Sequence, residues 1–555
     1  MTHHPTGGDL LVAVLRELGI DTVFGIVSVH NLPLVEAVDR ELRFVPVRHE
    51  ATAVNAADAY GRARGSLGCA LTSTGTGAGN AAGSLIEALS AGTAVLHVTG
   101  QIESQYLGSG RGFIHETKDQ LAMLRAVSTY AATVPSTDAA GRILREAARA
   151  ALRAPGGPAS VEWPIDLQYA PQQDEHVTAA PPETAHPEAA ELDAAARLLA
   201  GARRPLIWAG GGACGAPDRL ADLMARTGAG LFTSNSGRGA VPEDHPQVIG
   251  NFATTPAGRA LLADADVLLT IGTHFRSNET GDYSLALPEA HIQVDLDAAA
   301  LERVYPAQHA LHGDAHAVLG ALLARLPEAP PAPGDGPATG SSEPGWTARV
   351  ASVREEARAA LHDGIGPQAA VCDALRAALP RRAVIARDVT IPSSSWGNRL
   401  LEIYDPRDNV FPRGGGIGQG LGMGLGAALA RPDVPTVVMA GDGGLAVHLG
   451  ELLTLAQERP ALTLLVFNDG GYGVLRNMQD RYSERRSGVD LTTPDFSLLA
   501  RACGLPYARI AAEADAAPVL TEAAASGGPT LIEVDLTALG PMKNPFTPPV
   551  KIPTA

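Results

Sequence analysis

Apolar residues along this chain follow two alternating rhythms. Short uninterrupted runs, such as "AVLHVTG", "DVLLTIG", "TVVMAGDGG" and "LTLLVFNDGG", read as strands buried on both faces. Between them lie longer segments whose apolar positions recur every three or four residues. In "DRLADLMARTG", Leu220, Leu223 and Met224 fall on one helical face and a glycine closes the pattern. The alternation persists nearly throughout, which predicts α/β layers around parallel sheets.

Two stretches interrupt it. Residues 169–188 ("YAPQQDEHVTAAPPETAHPE") and 327–345 ("PEAPPAPGDGPATGSSEPG") are too rich in Pro, Gly, Ser and charge to pack, and read as linkers. They divide the chain into blocks at 1–170, 189–325 and 346–545, each expected to be a doubly wound domain with a mostly parallel sheet. A chain of 555 residues exceeds what one core usually serves, so several domains are expected on length alone.

Composition narrows the function classes. A 45% hydrophobic content fits a globular enzyme. No apolar run approaches the length of a membrane span, and "MTHHPTGGDL" lacks the basic and apolar regions of a signal peptide, so a cytoplasmic location is expected and a membrane partner is not. The formal charge is -17 without a basic block, which argues against nucleic acid. An anionic substrate must then be held by local groups rather than steered by the global field. Cys69, Cys214, Cys372 and Cys503 show neither metal-ligand nor disulfide spacing.

The chemistry concentrates where two strand-like runs end. "TVVMAGDGG" closes on Asp442, Gly443 and Gly444, and "LTLLVFNDGGYG" closes on Asn468, Asp469, Gly470 and Gly471, with 24 residues between Gly443 and Asn468. Ligands of open parallel sheets bind beyond the carboxyl ends of the strands, so both turns should face one crevice. Two carboxylates suit Mg2+, which completes its shell with phosphate oxygens and water. Glycines let the backbone approach a bulky anion, and exposed N–H groups in such turns suit phosphates.

G-D-G, then 24 residues, then N-D-G-G-Y-G resembles the thiamine diphosphate signature of the acetolactate synthase and pyruvate decarboxylase superfamily. The resemblance implies that Asp442, Asp469 and the carbonyl of Gly471 hold Mg2+, with Gly443, Gly444, Tyr472 and Gly473 lining the diphosphate. It names the three blocks pyrimidine-binding, central and diphosphate-binding domains. "FVPVRHEATAVNAADAYGRARG" is similar to the family's R-H-E segment, where a glutamate promotes the imino tautomer of the cofactor's aminopyrimidine. Carried over, that residue is Glu50. Side chains offer no stable acyl-anion equivalent, so the cofactor supplies what they lack.

Other segments carry the likeness further. "TSTGTGAGN", ending at Asn80, resembles the glycine turn T-S-G-P-G-x-x-N, with Thr76 in place of proline. "RGGGIGQGLGMGLGAALARPDVP" resembles the segment that props the cofactor in its bent form, which puts Gly418 and Gln419 against the cofactor, with Met423 a helix turn later. "TVFGIVSVHNLPL" places His30 where benzaldehyde lyase also has a histidine, and "RGFIHETKDQ" places His115 where acetolactate synthases carry an amide. Either histidine could move a proton of an intermediate. Met478 stands where acetolactate synthases have a tryptophan that selects the second 2-oxo acid. "IGTHFRSNETG" keeps part of a flavin-binding stretch, so FAD is compatible with the chain but not predicted from it.

The resulting expectation is a thiamine diphosphate- and Mg2+-dependent carboligase or lyase acting on a 2-oxo acid, aldehyde or acyloin. Two alternatives stand beside it: a simple decarboxylase releasing an aldehyde, and a non-catalytic cofactor-binding subunit. The resemblance also implies a homodimer or homotetramer with active sites at the dimer interface.

Overall fold

The computed structural model describes residues 5–173, 185–328 and 345–548, so residues 174–184 and 329–344, the middle of both expected linkers, lie outside the described residues. The described residues form three six-stranded sheets. The first comprises β1 (Thr22–Gly25), β2 (Arg43–Pro46), β3 (Gly68–Thr72), β4 (Val95–Gln101), β5 (Tyr130–Thr133) and β6 (Pro158–Pro164), in the order β2-β1-β3-β4-β6-β5. The central sheet comprises β7 (Pro205–Ala209), β8 (Gly230–Thr233), β9 (Val248–Gly250), β10 (Val267–Ile271), β11 (His291–Asp295) and β12 (His309–His312), in the order β12-β11-β10-β7-β8-β9. The third comprises β13 (Val384–Arg387), β14 (Asn409–Val410), β15 (Thr436–Gly441), β16 (Leu462–Asn468), β17 (Tyr507–Ile510) and β18 (Thr530–Asp535), in the order β14-β13-β15-β16-β18-β17.

Every pairing within these sheets is parallel. The first and third sheets share one winding order, while the central sheet has the order found in dinucleotide-binding folds. The inner strands are apolar on both faces because helices cover both faces. Five strands leave no clear pattern in the sequence: β5, β9, β12, β14 and β17, each at the edge of its sheet. An edge strand is short or only half-covered, so it needs no continuous apolar run.

Two helices join the first and third domains. Helix Glu50–Arg64 and helix Gly420–Ala430 are buried nearly all round, and small residues line their contact. A Cβ on Gly426 would run into the backbone of Ala56, and one on Gly422 would press on Thr52 and Asn55. Successive contacts advance along both helices in the same direction, so the two lie side by side with their N-termini together. Leu429 and Ala430 pack into the cluster of Phe24, Val45, Ala53 and Tyr60 from the first domain.

Candidate functional site

Three adjacent strands of the third sheet each end in an aspartate: β13 in Asp388, β15 in Asp442 and β16 in Asp469. The chain leaves β13 for β14 on one side and continues to β15 on the other, so the crevice opens where the winding reverses. Asp442 is the first residue of helix Asp442–Val447, which begins directly after β15. The segment carrying Asp469 is held by a bridge between Gly471 and Asp490, with Tyr472 N–H donating to the Val489 carbonyl at 2.9 Å and Leu491 N–H to the Gly470 carbonyl at 2.9 Å.

The charge of Asp442 bears on Asp469. Burial raises the Asp442 carboxyl above its usual range, partly offset by hydrogen bonding from the backbone of Gly443, Asp469 and Gly471. Burial, and then the charge of Asp442, push Asp469 up to about 6, while Arg476 pulls the other way. Asp442 is 2% exposed, and its Oδ2 is buried without a hydrogen-bond partner. Glycines make the approach feasible: a Cβ on Gly443 would lie 2.8 Å from the Tyr472 ring and 3.2 Å from the Gly471 oxygen, and one on Gly473 would strike the Asp469 carboxylate.

These features fit a hard cation. Two crowded carboxylates, one with an orphaned oxygen, and a neighbouring carbonyl match Mg2+, whose other ligands come from phosphate and water. Among the described residues no group of three or more His, Cys, Asp or Glu side chains forms a complete metal cage, so an all-protein zinc-type centre is not part of this site.

Asp388 has another task, which sequence reasoning missed although "AVIARD" shows the same apolar run closed by an acid. Its Oδ1 accepts from Gly418 N–H at 3.1 Å and from Val389 N–H at 2.7 Å, and its Oδ2 accepts from Gly420 N–H at 3.1 Å. Burial raises this carboxyl to about 6, against the lowering effect of those amides. Asp388 therefore pins the glycine turn that leads into helix Gly420–Ala430. Gly418 adopts φ +81, and a Cβ there would lie 2.6 Å from Val447. Gln419 is the N-cap residue of that helix, buried, with its Oε1 unpartnered. Met423 is buried in the hydrophobic core among residues of the third sheet, such as Val438 and Leu464.

In the first domain, Glu50 opens helix Glu50–Arg64 after an N-cap at His49, whose Nδ1 accepts from Ala51 N–H at 3.1 Å. Glu50 is 9% exposed, and its Oε2 accepts from Asn80 Nδ2 at 3.1 Å. A Cβ on Gly77 would lie 2.9 Å from its Oε1, so the glycine turn after β3 makes room for this carboxylate. Gly75, at φ +62, abuts the backbone of His115.

His30 and His115, distant in sequence, meet with ring centroids 5.2 Å apart in an edge-on arrangement. Burial and then the neighbouring His115 hold the His30 imidazole below its ordinary range. His115 adopts φ +67, a conformation rarely taken by residues other than glycine. Its loop is braced by Glu116, which accepts from the N–H groups of Gly110 at 3.0 Å, Gly112 at 2.9 Å and Phe113 at 3.1 Å.

The first and third domains also meet beside Glu50. Arg48 N–H donates to the buried Glu451 carboxylate at 3.0 Å, and the His49 and His448 rings lie 4.9 Å apart. Burial and His49 lower His448 to about 4. Where the central domain meets the other two, a cavity of about 410 Å³ opens at the reversal between β7 and β10, lined in part by Gly272, Thr273, His274 and Arg276 of the central domain, Ser90 of the first and Arg413 of the third. It contains part of the stretch with partial flavin resemblance.

Comparison with known proteins closes the case for the family. Residues 5–123, 192–322 and 392–534 match the N-terminal TPP binding domain, the central domain and the C-terminal TPP binding domain of thiamine pyrophosphate enzymes. The chain is 34% identical over 504 residues to "Probable 2-ketoarginine decarboxylase AruI" of Pseudomonas aeruginosa, covering 90% of this chain and 88% of the relative. The chain belongs to the thiamine pyrophosphate enzyme family. The large subunit of acetolactate synthase isozyme 2 of Escherichia coli K12 is 29% identical over 552 residues, covering 96% of both chains. The acetolactate synthase of Mycobacterium bovis is also 29% identical, over 94% of this chain and 86% of its own length. As a family member with all three domains, the protein is an enzyme that uses thiamine diphosphate with a divalent metal and acts on a small molecule. No helix among the described residues is long and apolar enough to cross a membrane.

Proposed function

We propose that this thiamine pyrophosphate enzyme breaks the carbon–carbon bond beside the carbonyl of a 2-oxo acid or acyloin and joins the retained fragment to a second carbonyl compound. The observation that carries this is the pairing of Asp442 and Asp469 at adjacent strand ends, with Asp442 Oδ2 buried and unpartnered. In this reading Asp442, Asp469 and the Gly471 carbonyl hold Mg2+, and the Gly443, Gly444, Tyr472 and Gly473 segments receive the diphosphate. Gly418 and Gln419 shape the turn against the cofactor. Thiamine diphosphate, when bound, supplies the electron sink for cleavage. Glu50, fixed by Asn80, holds and releases a proton at its carboxylate.

A second reading, release of an aldehyde after decarboxylation, is favoured by the buried His30 beside His115. A histidine ring that first takes up a proton as imidazolium can deliver it to the retained fragment, where carboligation would supply a carbonyl instead. The relative named as a 2-ketoarginine decarboxylase makes a 2-oxo acid the first substrate class to try. We further propose domain limits of 1–170, 189–325 and 346–545 and a homodimer or homotetramer with sites at the interface.

Mass-spectrometric product analysis with a panel of 2-oxo acids and aldehydes, with and without thiamine diphosphate and Mg2+, decides between the readings. Cofactor-dependent acyloin or acetohydroxy acid supports ligation, and free aldehyde as sole product supports decarboxylation. No cofactor-dependent product from any pair would overturn both.

A further inference from the structure

Helix Thr76–Ala91 touches two site-bearing elements that lie in different domains of the chain. Near its start Asn80 donates to Glu50. Two turns on, about 10 Å along the axis and on the same face, stands Glu87. Glu87 is buried, and its Oε1 accepts from Gly414 N–H at 2.5 Å, at the head of the glycine turn of the third domain. A Cβ on Gly414 would lie 2.6 Å from Glu87 Oε2, so the glycine is what lets the carboxylate close on the backbone. The group it meets is a main-chain amide, not a cation.

The same turn is anchored on every side but its middle. Arg62, itself gripped by Asp58 at 2.6 and 2.7 Å, donates to the Phe411 carbonyl at 2.8 Å. Arg276 of the central domain donates to the Arg413 carbonyl, and Arg413 donates to the Ala91 carbonyl at 3.1 Å. Asp388 holds Gly418 and Gly420 at the far end. Between these anchors Gly415 has open space around it at φ +87. A glycine-rich turn has many backbone states, so its placement depends on such anchors.

We propose that Glu87 is a positioning residue: through helix Thr76–Ala91 it fixes the placement of the turn 414–420 and ties it to the element that holds Glu50. This rests on the reading of that turn as cofactor-facing. The role requires an acceptor at Glu87, not a charge.

The test compares wild type, Glu87→Ala and Glu87→Gln. Hydrogen exchange of the cofactor-free proteins across residues 411–420 is measured, together with calorimetric titration by thiamine diphosphate in Mg2+ and steady-state kinetics. Glu87→Ala is expected to speed exchange at Gly414–Gly418 and weaken cofactor binding roughly tenfold. Substrate KM at saturating cofactor should hold. Glu87→Gln, whose amide oxygen still accepts, should return both readouts towards wild type. Wild-type exchange and affinity in Glu87→Ala, or a glutamine variant as defective as alanine, would overturn the proposal. Wild-type protein that binds no thiamine diphosphate would instead overturn the cofactor reading beneath it.

Discussion

Single side chains in this site act by being placed where water cannot satisfy them. Asp442 and Asp469 each suffer from burial, and Asp469 also from its neighbour's charge, so a divalent cation bound by the pair, as proposed, would relieve both at once. Asp442→Asn is therefore expected to weaken Mg2+-dependent thiamine diphosphate binding by at least about tenfold in calorimetric titration, while the apo fold stays intact by circular dichroism. Glu50 differs, since its partner is Asn80 and its proposed work is proton transfer. Glu50→Gln should lower kcat by at least about a hundredfold and leave the cofactor Kd within a few-fold. Turnover at the wild-type rate would show that Glu50 is a structural helix-start residue. The residue scale is also where the sequence was least complete. Asp388 and Glu87 bind backbone amides of a distant turn, and no local spacing reveals a partner so far along the chain.

Elements set the distances between these residues. The contact of helix Glu50–Arg64 with helix Gly420–Ala430 depends on glycine where the backbones approach. Gly426→Ala should lower unfolding free energy by about 1–3 kcal/mol in chemical denaturation, because the added methyl meets the Ala56 backbone rather than a flexible side chain. A second junction, between the start of helix Glu50–Arg64 and the end of helix Asp442–Val447, carries the His49–His448 pair. With His448 held at about 4, below the ordinary histidine range, the unfolded chain takes up a proton first as pH falls. The contribution of His448 to stability is thus present at neutral pH and lost on acidification towards pH 4. Thermal melts of wild type and His448→Gln should diverge in slope across that window, with the glutamine variant flatter. Parallel slopes would rule the pair out as a source of acid sensitivity.

The whole molecule leaves part of its site-bearing surface bare. Val29 and Ile114, beside the two histidines, are 59% and 64% exposed, and Ile417 and Val447, beside the glycine turn, are 40% and 48% exposed. Apolar residues clustered at the rims of functional loops in two domains suit a covering surface, and a second copy of the chain is the proposed cover. Activity per chain should fall on dilution in step with loss of the dimer in sedimentation velocity. A fully active monomer would refute an interface site. The formal charge of -17 repels an anionic 2-oxo acid at long range, so added salt, which screens that repulsion, should raise rather than lower kcat/KM.

The sequence by itself determined the parallel layers and which strands are followed by an acid and glycines. Runs such as "TVVMAGDGG" and "LTLLVFNDGG" must be buried parallel strands, and an acid and glycines at their ends have a crevice to face. It could not show five of the six edge strands, whose half-exposure or shortness removes the apolar signal. Nor could it bring His30 against His115, or Glu87 to Gly414, because those meetings depend on how sheets and domains pack and not on spacing along the chain. Local pattern is written by burial within one element. The pairing of far-apart polar groups is decided only when the elements close on one another.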